Sequence, residues 1–345
     1  MKNKTQNDDI FLYPYEVKEV VSTLSQSQGW HVKQLHVPET WKVTRGEGMV
    51  VMVIDTGYTD HTDLEGGMDK DKSGSYVVTE SAKEDKNGHS THVCGIIGAR
   101  DNSKGMVGVA PECTIITCKV LGSDGSGSFS GINAALRYAL SIKPDVINMS
   151  LGSHSYNSEM HGLIKQLYAA DIPIIAASGN DGRGKAVNYP AKYSEVICVT
   201  AFDKHGKPAR FNSTGPEADF SAPGVDIYST WLDGRYVKLS GTSMATPFVA
   251  GLVALLLAKH RDQEAETGKN DCKTVGQIKE HLIKYADDKG VVGRDDTWGY
   301  GVIDVGKAIT ASEDEEEETP IPEPTPKPPK KKRNWWSRFW HKLFG

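Results

Sequence analysis

Short apolar runs rich in β-branched residues alternate along this chain with longer stretches in which apolar residues recur three and four apart. Val50-Val-Met-Val-Ile54, Cys113 to Val120, Asp145 to Met149, Ile172 to Ala177 and Val196 to Thr200 are bounded by turn formers and predict strands buried on both faces. Between them, His89 to Arg100, Gly131 to Ser141 and His161 to Ala170 predict helices. This interleaving predicts an α/β fold, a mostly parallel sheet with helices on both faces and with chemistry at the carboxyl ends of its strands. The apolar run Pro247 to His260 is too short for a membrane span and reads as a core helix with the proline in its first turn.

The pattern breaks at both ends. Residues 1–29 are polar except for one island, Ile10-Phe-Leu-Tyr-Pro-Tyr15, and read as an N-terminal extension to a domain over 30–310. Residues 311–333 are acidic, then proline-rich, then basic, which describes a linker. In 334–345, Trp335, Trp336, Phe339, Trp340, Leu343 and Phe344 fall on one face of a helix, with Arg338, His341 and Lys342 elsewhere. Behind the basic run Lys330 to Arg333, that helix fits an anionic membrane surface or a partner's groove.

Composition narrows the class. An apolar fraction of 38%, a charged fraction of 25% and a net charge of -5 describe a soluble globular protein and give no reason to expect a nucleic-acid partner. The first residues lack the apolar run of a secretion signal. Cys94, Cys113, Cys118, Cys198 and Cys272 are an odd count at spacings that suit neither a disulfide framework nor a zinc ribbon, which points to reduced thiols in a cytoplasm.

Four segments carry residues of catalytic type, and each has a plain alternative. Asp55, before Thr56-Gly57, closes a strand; it reads as a turn aspartate or a functional carboxylate, but no second Asp-Thr-Gly or Asp-Ser-Gly supports an aspartic-protease pair. Asn87-Gly-His89-Ser-Thr-His92-Val-Cys94 sets two histidines three apart at a helix start, open to a structural, metal-binding or general-base role. Asn180, in Ala176-Ala-Ser-Gly-Asn180-Asp-Gly182, is a turn asparagine or an amide donor for a carbonyl oxygen. Ser243, in Gly241-Thr-Ser243-Met-Ala-Thr-Pro247, is a helix cap or a nucleophile backed by free helix N–H groups.

Together, and in the order Asp, His, Ser, these segments resemble the subtilisin family of serine proteases, most closely its intracellular bacterial members, from about Trp30 to Ile309. Gly105 to Pro111, Ser150-Leu-Gly152, Asn188-Tyr-Pro190 and Ser221-Ala-Pro-Gly224 extend the match. The resemblance implies a serine endopeptidase acting on polypeptides through Asp55, His89 and Ser243, with Asn180 in the oxyanion hole and no catalytic cofactor. It implies substrate contacts at Gly125, Gly127, Ser150, Leu151, Gly152, Ala177, Ser178, Gly179 and Asn188, with Asp181 near the pocket rim. It further implies a structural calcium held by Asp63, Asn102 and the backbone carbonyls of Arg100, Lys104 and Met106. The island Phe11-Leu-Tyr-Pro14-Tyr15 is similar to a Leu-x-Pro-Tyr segment that covers the active site in intracellular subtilisins, which implies latency until it is removed. Ser90 and Phe248 depart from the pattern, standing where the family usually has glycine and histidine. A catalytically silent binding module and a maturation protease dedicated to one polypeptide are the rival expectations.

Overall fold

The structure is a computed structural model and describes residues 10–15, 17–21, 25–81 and 84–311. The expected acidic, proline-rich and basic linker beyond Ala311, the C-terminal helix 334–345 and part of the N-terminal extension lie outside the described residues.

Seven strands form one parallel sheet: β1 Val50–Asp55, β2 Gly74–Ser75, β3 Thr114–Lys119, β4 Val146–Met149, β5 Ile174–Ala177, β6 Ile197–Phe202 and β7 Phe220–Pro223. Their spatial order is β7-β6-β5-β4-β1-β3-β2. The chain therefore fills one side of β1 before crossing to the other, and Asp55 ends the strand at which the direction of winding changes. A crevice opens at such a point.

Residues on β1 alternate between the two faces. Val51 and Val53 join the core with Val93, Ile96 and Ile97 of α1 (His89–Gly98), whereas Met52 and Ile54 pack with Ile132 and Leu136 of α2 (Phe129–Ile142) and Ile164 and Leu167 of α3 (Ser158–Ala169). Helices α2 and α3 begin earlier than the periodicity predicts because Ser128 and Asn157 cap them, accepting bonds from Gly131 N (3.2 Å) and Met160 N (2.8 Å).

The central helix departs furthest from expectation. Helix α4 runs Thr242–Thr267, so Pro247 lies inside it rather than in its first turn. A proline cannot donate to the carbonyl four residues back. The carbonyl so released, that of Ser243, accepts instead from Ser150 Oγ at 3.0 Å. By length and composition α4 could cross a membrane, but 89% of its most apolar window is buried inside the domain. All five cysteines are buried.

Candidate active site

Asp55 and His89 meet at the carboxyl end of β1. His89 Nδ1 lies 2.9 and 3.0 Å from the two Asp55 carboxylate oxygens, and both side chains are fully buried. A residue that sequence reading missed sets this approach. Asp85, buried, accepts from Gly88 N and Thr56 Oγ1 with one oxygen and from Thr91 N and Thr91 Oγ1 with the other. It thereby ties the turn before α1 to the residue after Asp55; an aspartate four residues ahead of a histidine, spaced to cap its helix, was the available signal. Gly88, at φ +91°, leaves no room for a side chain, since a Cβ there would stand 2.7 Å from the Trp231 ring.

His92 is turned elsewhere. Its Nε2 reaches the carbonyls of Ile227 (3.0 Å) and Val237 (3.3 Å), and burial holds its pKa down to about 3. The two histidines of the motif thus serve different partners. Ser90 keeps its backbone N–H on Thr56 Oγ1 (3.0 Å), and Phe248 packs its ring edge-on to His31. Both departures from the family pattern are buried in the core.

Ser243 is the second residue of α4. Its hydroxyl donates to the Ser150 carbonyl at 3.1 Å, and His89 Nε2 is buried without a hydrogen-bond partner. Asn180 has its amide orientation fixed from one side. Thr242 N–H, which can only donate, bonds its Oδ1 at 3.1 Å, and Thr242 Oγ1 adds a second bond at 2.8 Å. The Asn180 NH₂ group therefore faces the cleft, where it donates to the Pro14 carbonyl at 3.2 Å. Thr242 is a positioning residue that the sequence did not single out.

The cleft holds the extension. Ile10–Phe11 pair antiparallel with Ser126–Gly127, Leu12 N bonds Gly125 O (2.9 Å), and Phe11 exchanges two 2.9 Å backbone bonds with Gly152. Of the expected contact residues, Gly125, Gly127 and Gly152 thus pair with the two edges of this one extended segment. Tyr13, 1% exposed, packs against Gly152, and its hydroxyl donates to the Ala177 carbonyl at 3.1 Å. Burial raises its pKa well above the usual phenol range. Asn188 bonds Asp181 at 2.8 Å, giving the pocket a polar end, and Ser178 and Leu151 are buried. Tyr15 lies over the His89 ring with centroids 5.3 Å apart and donates to Asn87 Oδ1 at 2.7 Å. The carbonyl held by Asn180 is that of Pro14, one residue beyond the side chain that fills the pocket.

The expected cation loop is also assembled. Asp63 is fully buried and accepts from Asn102 Nδ2 (3.2 Å), Met106 N (2.8 Å) and Tyr236 OH (3.0 Å). The Arg100 and Met106 carbonyls converge on the Gln26 amide at 3.1 and 3.2 Å, which makes Gln26 a ligand candidate that sequence reading missed. The Arg100 guanidinium points away, bonding the Pro111 and Cys113 carbonyls, so its charge does not oppose a cation. With the Asn102 and Gln26 amides turned so that oxygen, rather than the Nδ2 and Nε2 donors, faces Asp63 and the Arg100 and Met106 carbonyls, a buried carboxylate, two amide oxygens and converging carbonyls would make an oxygen set that fits calcium.

The profile of the subtilase family matches residues 46–301. Minor extracellular protease Epr of Bacillus subtilis (strain 168) is 40% identical over 284 residues, 81% of this chain and 42% of that protein. Subtilisin DY of Bacillus licheniformis is 40% identical over 263 residues (74% of this chain, 89% of the relative), and an intracellular serine protease of Paenibacillus polymyxa is 40% identical over 261 (72% and 78%). With the family's profile covering residues 46–301 and relatives about 40% identical over most of the chain, the chain belongs to the subtilase family of serine endopeptidases.

Proposed function

We propose that this chain hydrolyses polypeptides through Ser243 and is held latent by its own segment Phe11–Tyr15. The observation that carries the reading is the Asn180 NH₂ group donating to a peptide carbonyl beside the Ser243 helix start, with His89 already bonded to Asp55. Rotation of the Ser243 hydroxyl from Ser150 O to His89 Nε2 supplies the base with the proton it must take. Ser243 Oγ then attacks the scissile carbonyl, His89 accepts the proton, and Asp55 stabilises the imidazolium and fixes its tautomer. Charge developing on the carbonyl oxygen is met by Asn180 Nδ2 and the N–H groups that open α4. His89 returns the proton to the leaving amine, and water repeats the cycle on the acyl-enzyme.

Latency rests on misregister. Tyr13 fills the pocket as a substrate side chain does, yet the oxyanion donor holds Pro14 O, and a bond after Pro14 is flanked by a residue with no amide to offer a β-strand edge. Tyr15 meanwhile covers the base. The pocket's apolar walls and polar end favour an aromatic residue before the cut, tyrosine among them. Calcium at Asp63, Asn102, Gln26 and the Arg100, Lys104 and Met106 carbonyls would clamp the loop 100–106 against the start of the domain. Buried thiols favour a cytoplasmic site of action.

The test compares the full-length chain, a chain lacking residues 1–15 and the Ser243→Ala variant of each, using a denatured protein and a sulfonyl fluoride probe read by mass spectrometry. The trimmed wild type should cut and gain one adduct on Ser243, the full-length chain should do so only after losing its extension, and both variants should do neither. A trimmed wild-type chain that neither cuts nor labels, with calcium present, replaces this reading with a catalytically silent binding module.

A further inference from the structure

Three side chains that peptide hydrolysis does not use converge at the far end of the domain. His260 lies near the end of α4, Cys272 in the loop that follows, and His281 on α5 (Val275–Lys284). One ligand-type atom from each lies within 4.8 Å of the other two. At about 1.5 Å per helical residue, His260 stands about 26 Å along α4 from Ser243, so the cluster is no part of the active site. We propose that His260, Cys272 and His281 bind a zinc ion.

The donor set argues for the metal. Two imidazoles and a thiolate suit a borderline-soft divalent ion and not calcium, which takes oxygen. Tetrahedral zinc, with bonds of about 2.0–2.3 Å, spaces its ligands about 3.3–3.8 Å apart, so small side-chain rotations close the site around the ion. His260 and Cys272 are buried, and the half-buried His281 gives the ion its way in, leaving a fourth position for water.

The surroundings hold the ligands in place. His281 Nε2 donates to the Ala308 carbonyl at 2.8 Å, which fixes the tautomer and leaves Nδ1 as the ligating atom. Its ring stands edge-on to that of His260, with centroids 5.4 Å apart. The loop carrying Cys272 is tied back to α4: Cys272 N bonds Asn270 Oδ1 (2.9 Å), and Asn270 Nδ2 bonds Glu264 Oε2 (2.9 Å). Two residues on, Thr274 and Gln277 form a capping box that fixes the start of α5. Binding displaces the Cys272 thiol proton and joins the end of the core helix to α5.

The experiment titrates cobalt, then zinc, into the full-length chain carrying Ser243→Ala, which removes self-cleavage. One cobalt per chain should produce thiolate-to-cobalt charge-transfer absorption, and one equivalent of zinc should abolish it. At a hundredfold excess over its Kd, zinc should raise the melting temperature by about 5 °C. Cys272→Ser should lose the absorption, Cys113→Ser should keep it, and His281→Gln should weaken cobalt binding at least tenfold. Absence of the absorption in the parent chain, or its survival in Cys272→Ser, overturns the proposal. Should Cys272→Ser fail to fold, unchanged affinity and spectrum in His281→Gln overturn it equally. Calcium at Asp63 gives no thiolate absorption, so the two sites are read separately.

Discussion

Replacing Tyr13 with alanine tests whether the extension gates Ser243. Tyr13 is a buried aromatic anchor of the segment in the cleft, 1% exposed and bonded through its hydroxyl to Ala177 O. Truncating a buried aromatic anchor of this kind costs about 2–4 kcal/mol of docking free energy. The docked segment and the open cleft are in equilibrium, so the open fraction should rise about 30- to 700-fold at 1.4 kcal/mol per decade. Backbone pairing at Gly127, Gly125 and Gly152 is untouched by the substitution, so the change should read the side chain alone. The assay is the initial rate of sulfonyl adduct formation on Ser243 in full-length protein, followed by intact mass so that only unprocessed chains are counted. An adduct rate in Tyr13→Ala equal to that of the parent chain would refute the gating argument, because a segment that blocks the nucleophile cannot lose such an anchor without opening more often.

Further outcomes follow from the site. Asn180→Ala in the trimmed enzyme should lower kcat by about 10²–10³-fold, the range found for the loss of this kind of donor in subtilisin itself. Thr242→Val removes the 2.8 Å bond that orients Asn180 and should lower kcat by about fivefold with KM unchanged, a smaller effect because Thr242 N still holds Oδ1. Calcium should raise the melting temperature of the parent chain, and Asp63→Asn should abolish that response while leaving the fold intact by circular dichroism. Burial lowers the His31 pKa to about 4, below its unfolded value, so the unfolded chain binds the extra proton and stability should fall as pH drops from about 6.5 to 4, by up to about 1.4 kcal/mol per pH unit. His31→Leu should flatten that part of the stability profile, and an unchanged slope in urea titrations at pH 5 and 7 would contradict the assignment.

The five predicted strands and the three outer helices were legible because each is specified by a local pattern, and only their ends moved where Ser128 and Asn157 supply caps. The residues that meet at the crevice were legible as types in order. What escaped were the long-range relations that the resemblance did not carry. Thr242 orients Asn180 from 62 positions away, and Gln26 reaches carbonyls at Arg100 and Met106, 74 and 80 positions on. Nothing in the local sequence of a threonine or glutamine announces such a partner. The local rule places Pro247 at a helix start, and it is overridden by Ser150, 93 residues distant, which satisfies the carbonyl that the proline releases. The cluster at His260, Cys272 and His281 escaped likewise, since its members are scattered over two helices and a loop.

That misplaced proline has a mechanical consequence. Ser243 and Ser150 hold each other twice, hydroxyl to carbonyl in both directions, and Ser150 lies two residues before Gly152, the partner of Phe11 in the cleft. On the proposed mechanism, the attacking serine would therefore be mounted not on the helix alone but riveted to the gauge that sizes the substrate. A side chain that strains that gauge would pull on the attacking serine's own backbone, so poorly fitting substrates should lose turnover more than affinity.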